Sequence, residues 1–163
     1  MSVFKTTFSR ALNAYPSDNA NIPFPTVITS GINTSAHVNT LTDSSADFIN
    51  DNIKEGDIVY NVTAGTSATV VNVKDADQLD LNADIFTDLD KEYIVYQASP
   101  QTGLSNQGCY LYIGESDRSK VTVTTIGGDI ITFYGVLEGE VLPVQVIKLW
   151  AENTAAAKIL ALW

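Results

Sequence analysis

The stretch Lys120–Val136, "KVTVTTIGGDIITFYGV", decides how the rest of the chain is read. Val121, Val123 and Thr125 alternate with Thr122 and Thr124, the period of two that sends successive side chains to opposite faces of a strand. Both limbs are rich in β-branched and aromatic residues, and Gly127-Gly128 between them permits the positive φ that a tight hairpin needs. The stretch therefore predicts two antiparallel strands. The same grammar recurs along the chain. "DIVYNVTAGTSATVVNV" at 57–73 predicts a hairpin around Ala64-Gly65, and "EVLPVQVIKLW" and "AAAKILALW" predict two further strands. Val144, Val146 and Leu149 share a face only if the strand slips by a bulge near Ile147. Helix is confined to two expected single turns, "SSADFIND", capped by Ser44 or Ser45, and "NADIFTDLD". The fold class expected is all-β.

With 163 residues, 45% of them hydrophobic, the chain can bury the core of one domain, or of one domain and a small subdomain. Its longest apolar run is the five residues Ile159 to Trp163, too short for a membrane span. "MSVFKTTFSR" lacks the apolar centre of a signal peptide, so synthesis in the cytoplasm is expected. A net charge of −10 argues against non-specific nucleic-acid binding, which needs a Lys/Arg surface to displace counterions.

The charge is unevenly placed. Residues 31–100 carry twelve of the nineteen acids against Lys54, Lys74 and Lys91, a balance of −9, while the remainder balances to −1. An acidic, well-solvated middle framed by nearly neutral ends is the organisation this predicts.

Catalytic chemistry finds little to work with. His37 is the single imidazole and Cys109 the single thiol, which excludes an internal disulfide and a zinc site built from several Cys/His ligands. Cys109 in "GCYLYIG" reads as a small strand hydrophobe and His37 in "NTSAHVNT" as a surface strand residue. The acidic run "KDADQLDLNADIFTDLD" fails as an EF-hand: counted from Asp75, position 5 is Leu79, position 6 is Asp80 and position 12 is Phe86. A glycosidase would need two of the carboxylates facing each other across a cleft. The sequons at Asn33 and Asn61 are read as chance in a chain rich in Asn and Thr. No catalytic residue, cofactor or metal is expected, and the chain is read as an interaction or assembly protein rather than an enzyme.

Two segments, read together, carry a resemblance. "NAYPSDNANIPFP" near the start and the run from Cys109 to Trp163 resemble the head spike base family of tailed bacteriophages and gene transfer agents. The matching positions are Pro16-Ser17-Asp18 with Ile22-Pro23, Leu111 to Gly114, Val121 to Phe133 around Gly127-Gly128-Asp129, Val136, Gly139, Leu142-Pro143-Val144 and Ala161-Leu162-Trp163. About eighty further residues intervene here between the proline segment and "LYIG". Within them, "GDIVYNVTAGTSATVV" with "LDLNADIF" is similar to a small β-module that recurs in phage virion proteins. The resemblance implies a jelly-roll-like β-sandwich formed by both chain ends (1–29 and 100–163) with an inserted small β-barrel-like subdomain (30–99). It further implies a virion protein of the capsid surface, a head decoration, cement or spike-base protein. Such a protein would be a homo-oligomer, trimer or pentamer, that clamps or anchors the major capsid protein or a spike or fibre protein, with no nucleic-acid or membrane partner. Expected interface residues are Leu142, Pro143, Val144, Trp150, Leu162 and Trp163, with the hydrophobic core as the other home for Trp150. The rival reading is a carbohydrate- or receptor-binding module of a tail fibre or tail spike, with exposed Tyr60, Tyr93, Tyr96 or Tyr110 stacking on sugar rings.

Overall fold

The structure, a computed structural model, describes residues 7–99 and 107–163; the boundary expected between 99 and 100 adjoins residues outside this range. All regular secondary structure among the described residues is strand, in several antiparallel sheets consistent with a β-sandwich class. No described helix is long and apolar enough to cross a membrane.

The chain divides into two compact units: the middle, Tyr15–Asn106, and the ends, Met1–Ala14 with Gln107–Trp163. Strand β1 (Ala11–Asn13) belongs to the ends. The middle unit contains β2 (Val27–Ile32), β3 (Ser35–His37), β4 (Thr40–Thr42), β5 (Ile58–Asn61), β6 (Thr66–Val73), β7 (Gln78–Leu81) and β8 (Glu92–Tyr96). They form one antiparallel sheet in the order β2-β8-β5-β6-β7-β4-β3. The order ends on β2 and β3, which only Asn33 and Thr34 separate in the chain. The β5–β6 hairpin turns where the sequence predicts, with Asn61 Oδ1 accepting the Ala64 N–H at 2.9 Å and Gly65 at φ 68°. Leu41, Phe48, Val59, Leu79, Phe86 and Tyr93 make the core of this unit.

The two expected helical turns are turns without helix. Asp43 and Asp47, rather than Ser44 or Ser45, supply the caps: Asp43 Oδ1 accepts the Ser45 N–H at 2.9 Å and Asp47 Oδ1 the Asn50 N–H at 3.2 Å. Short Asp side chains that bond the backbone two or three residues on favour such turns over helix.

In the end unit, β9 (Tyr110–Tyr112), β10 (Ser119–Thr125), β11 (Ile130–Val136), β12 (Val146–Leu149) and β13 (Leu160–Leu162) join β1 in two three-stranded sheets, β1-β13-β9 and β11-β10-β12. A bridge from Cys109, next to β9, to Val146 of β12 ties one sheet to the other, and Tyr112 of β9 bridges to Val141 in the connection between β11 and β12. The bulge expected near Ile147 is present: Thr124 faces Lys148 and Thr125 faces Val146, leaving Ile147 over.

The first boundary lies earlier than 29/30. Residues 15–29 belong to the middle unit because their polar groups are satisfied there. Ser17 Oγ donates to Ser67 O at 3.1 Å, Thr69 Oγ1 and Asn82 Nδ2 donate to Asn19 O, and β2 pairs with β8 from Val27 to Ile32. Moving the boundary to Ala14/Tyr15 sharpens the charge division. The middle then holds thirteen acids against three lysines, and the ends hold six acids against six bases, so the whole net charge of −10 resides in the middle.

Candidate interaction surface

The inner face of β10 is built by the alternation that predicted the strand. Val121 faces Phe133 across the ladder, Val123 faces Ile131 on one side and Leu149 on the other, and both valines are fully buried. The outer face has a threonine core: Thr122 and Thr132 share an Oγ1–Oγ1 hydrogen bond of 2.8 Å, and Trp150 Nε1 donates to Thr124 Oγ1 at 2.8 Å. Each end of this face has a lysine over an aromatic ring. Lys148 Nζ lies 3.7 Å from the Trp150 ring centroid, and Lys120 Nζ 5.4 Å from that of Tyr134.

Beyond that core lies apolar surface without cover. Ile130 is 64% exposed, Tyr134 74% and Ile131 40%, and Ile126, Leu137 and Val141 in the flanking turns are exposed as well. Ile130, Ile131 and Tyr134 sit on β11, an outer strand of its sheet, Ile126 and Leu137 lie in the turns that flank it, and Val141 bridges to Tyr112. Sequence reasoning missed this strip, although its signal is plain in "IITFYG": both faces of the strand are apolar, the pattern of a strand with neighbours on every side.

The six expected interface residues are not brought together as one exposed patch. Leu142 is wholly buried in the end unit's core and its N–H donates to Leu111 O at 2.9 Å, so it is a packing residue and not a contact for a partner. Pro143 is exposed and Val144 half-buried, in the turn before β12. Trp150 is half-buried and held by Thr124. Leu162 and Trp163 are half-buried at the end of β13, the central strand of its sheet, where Trp163 N–H donates to Arg10 O at 3.0 Å and Trp163 O accepts from Ser9.

In the middle unit a groove of about 590 Å³ is lined by Thr29 to Ile32, Thr34, Asp43, Ser45, Ala46, Asp47, Asp51 and Tyr93. Its floor is a buried hydrogen bond of 2.7 Å from Tyr93 Oη to Asp43 Oδ2. Burial pushes the Asp43 carboxyl up, but hydrogen bonds from the Ser45 hydroxyl, the Ser45 N–H and Tyr93 together hold it below the usual range. Burial, then the bond to Asp43 and the nearby carboxylate charges, raise the Tyr93 phenol. The pair is thus fixed as carboxylate and neutral phenol, which suits a structural clamp rather than proton transfer. Gly31 makes room for it: a Cβ there would lie 2.6 Å from Asp43 Oδ2 and 2.7 Å from Tyr93 Oη.

The other candidate groups resolve in the same way. Burial pushes the Cys109 thiol up to about 12, so it stays protonated at neutral pH, and its Sγ lies 3.6 Å from Val146 O. His37 is exposed in β3. Among the described residues no group of three or more His, Cys, Asp or Glu is placed to hold a metal ion. Tyr60, Tyr93 and Tyr96 are buried, and Tyr110 packs with its ring centroid 5.7 Å from Phe8, so the expected sugar-stacking tyrosines do not form an exposed platform. Both sequon asparagines are buried. Asn33 Nδ2 donates to Ser35 O and Asp88 O, and Asn61 Nδ2 donates to Ile85 O.

No family model, curated protein or solved structure matches the chain.

Proposed function

We propose that this protein is a non-enzymatic structural component of a tailed-phage virion on the capsid exterior, a head decoration, cement or spike-base protein that self-associates and anchors another virion protein. The observation that carries the reading is the bare apolar β11 edge in the net-neutral unit, with the whole excess charge held in the other unit. Such a division suits a protein that assembles through one part and keeps the other solvated. The sequence resemblance supports the same reading, since it runs through β10, β11, β12 and β13. Assembly would add stability to a small β-unit by mass action. The partner is then the major capsid protein or a spike or fibre protein.

The test is mass spectrometry of gradient-purified particles, followed by cryo-electron microscopy. The protein is expected in stoichiometric amounts, as density on the outer capsid surface. Abundance in the lysate with none in particles would overturn the proposal.

A further inference from the structure

We infer that two copies of this chain pair antiparallel along β11, joining their β11-β10-β12 sheets into one six-stranded sheet across a two-fold axis. The inference names the self-association invoked in the proposed function, and rests on that reading only for its biological setting.

Three observations point to a second copy as the occupant. The first is composition. Ile130 to Tyr134 contains no charge and no proline, and natural edges are ordinarily blunted by one or the other. Ile131 and Phe133 lean to the inner layer and Ile130, Thr132 and Tyr134 to the outer, so a neighbouring strand would cover side chains on both faces at once. The second is extent. Ile126, Ile130, Ile131, Tyr134 and Leu137, on β11 or in the turns that flank it and between 40% and 74% exposed, offer on the order of 500 Å² of surface, within the range of the largest patch a monomer leaves bare and more than half of the roughly 800 Å² a standard interface buries per partner.

The third is charge. A chain carrying −10 repels its own copies, and the contact that avoids this must be made through the net-neutral unit, where β11 lies. At one end of the strand Asp129 precedes Ile130, and at the other Lys120 rides over Tyr134; of the acids beyond that end, Glu140 accepts the Leu137 N–H and Glu138 lies towards Lys158. Antiparallel pairing brings each Lys120 towards the partner's Asp129, whereas parallel pairing would set like ends side by side. Gly135, at φ 68°, and the register shift between Ser119 and Val121 end the regular ladder, so the pairing runs over Ile130 to Tyr134.

A two-fold contact is isologous, so the expected stoichiometry is two or a multiple of two, where the family resemblance implies three or five. The test is sedimentation velocity of the purified chain at tens of micromolar. It should run at twice the chain mass of 17.6 kDa. The double variant Ile130→Lys/Tyr134→Lys, both at exposed positions, should run as a monomer with unchanged far-UV circular dichroism. Lys120→Glu should weaken the dimer at least tenfold, and Lys120→Glu/Asp129→Lys should restore it. A monomeric or trimeric wild type overturns the pairing, as does a dimer indifferent to the double lysine variant. A dimer that responds to these substitutions but never enters particles sinks the virion reading and leaves the pairing standing.

Discussion

Three backbone groups of the middle unit converge on the amide of Asn33. Its Nδ2 donates to Ser35 O at 3.1 Å and to Asp88 O at 2.8 Å, while its Oδ1 accepts the Lys91 N–H at 2.7 Å, all at a site with 0% exposure. Removing the amide would leave buried backbone groups without partners, which costs more than the bonds themselves contribute. Asn33→Ala is therefore expected to lower stability by about 2–4 kcal/mol in urea denaturation, and a loss under about 0.5 kcal/mol would contradict this account. Cys109 gives a pH signature of opposite origin. In the fold its thiol ionises only at about 12, against 9.0 ordinarily, so the unfolded chain releases its proton first. The stabilisation is complete below the ordinary value and falls away as pH rises through the window up to about 12. Urea midpoints should decline more steeply from pH 8.5 to 10.5 for wild type than for Cys109→Ala, and thiol reagents at pH 8 should react only after denaturation.

At the scale of the element, Leu142 and its neighbours separate packing from contact. Leu142→Ala should cost about 2–5 kcal/mol of stability in the isolated protein, whereas Pro143→Ser, on the exposed turn, should stay within about 0.5 kcal/mol. If the two changes are equivalent in thermal melts, the assignment of Leu142 to the core is wrong. The strands themselves were legible because period two and glycine turns are local properties: the β5–β6 and β10–β11 hairpins and the slip at Ile147 all follow from neighbours within a few residues. What makes Leu142 core and Ile130 bare is which strand ends a sheet, and that depends on pairings between residues far apart in sequence. The bridges that bury Leu142 run to Leu111 and Tyr112, some thirty positions away. The caps at Asp43 and Asp47 were missed for a simpler reason, since Ser and Asp compete for the same role and the sequence does not rank them.

At the scale of the whole molecule, the charge division located the two units to within about fifteen residues, because solvation leaves its mark on composition. It could not locate the join itself. Asp18 is the single charge between Tyr15 and Asp43, so residues 15–29 look nearly neutral whichever unit holds them. The hydrogen bonds of Ser17 and Asn19 decide the matter. A fragment of residues 15–106 should consequently fold alone, with cooperative melting and strong retention on an anion exchanger. The complementary chain, Ala14 joined to Gln107 by a short Gly/Ser linker, should elute near the void of the same column. A fragment 15–106 that lacks cooperative unfolding would show that the two units are not separable.

The position of β13 imposes an order in time. It is the last strand in sequence yet the centre of its sheet, pairing Ala11–Asn13 on one side and Tyr110–Tyr112 on the other. On the ribosome, β1 has no partner until Leu160–Leu162 follow, while every described strand of the middle unit is already made by Tyr96. The acidic unit is thus free to fold during translation, and the apolar end unit closes only afterwards. For that interval the nascent chain carries its most charged part folded, while β1 and β9 still wait for the strand that joins them.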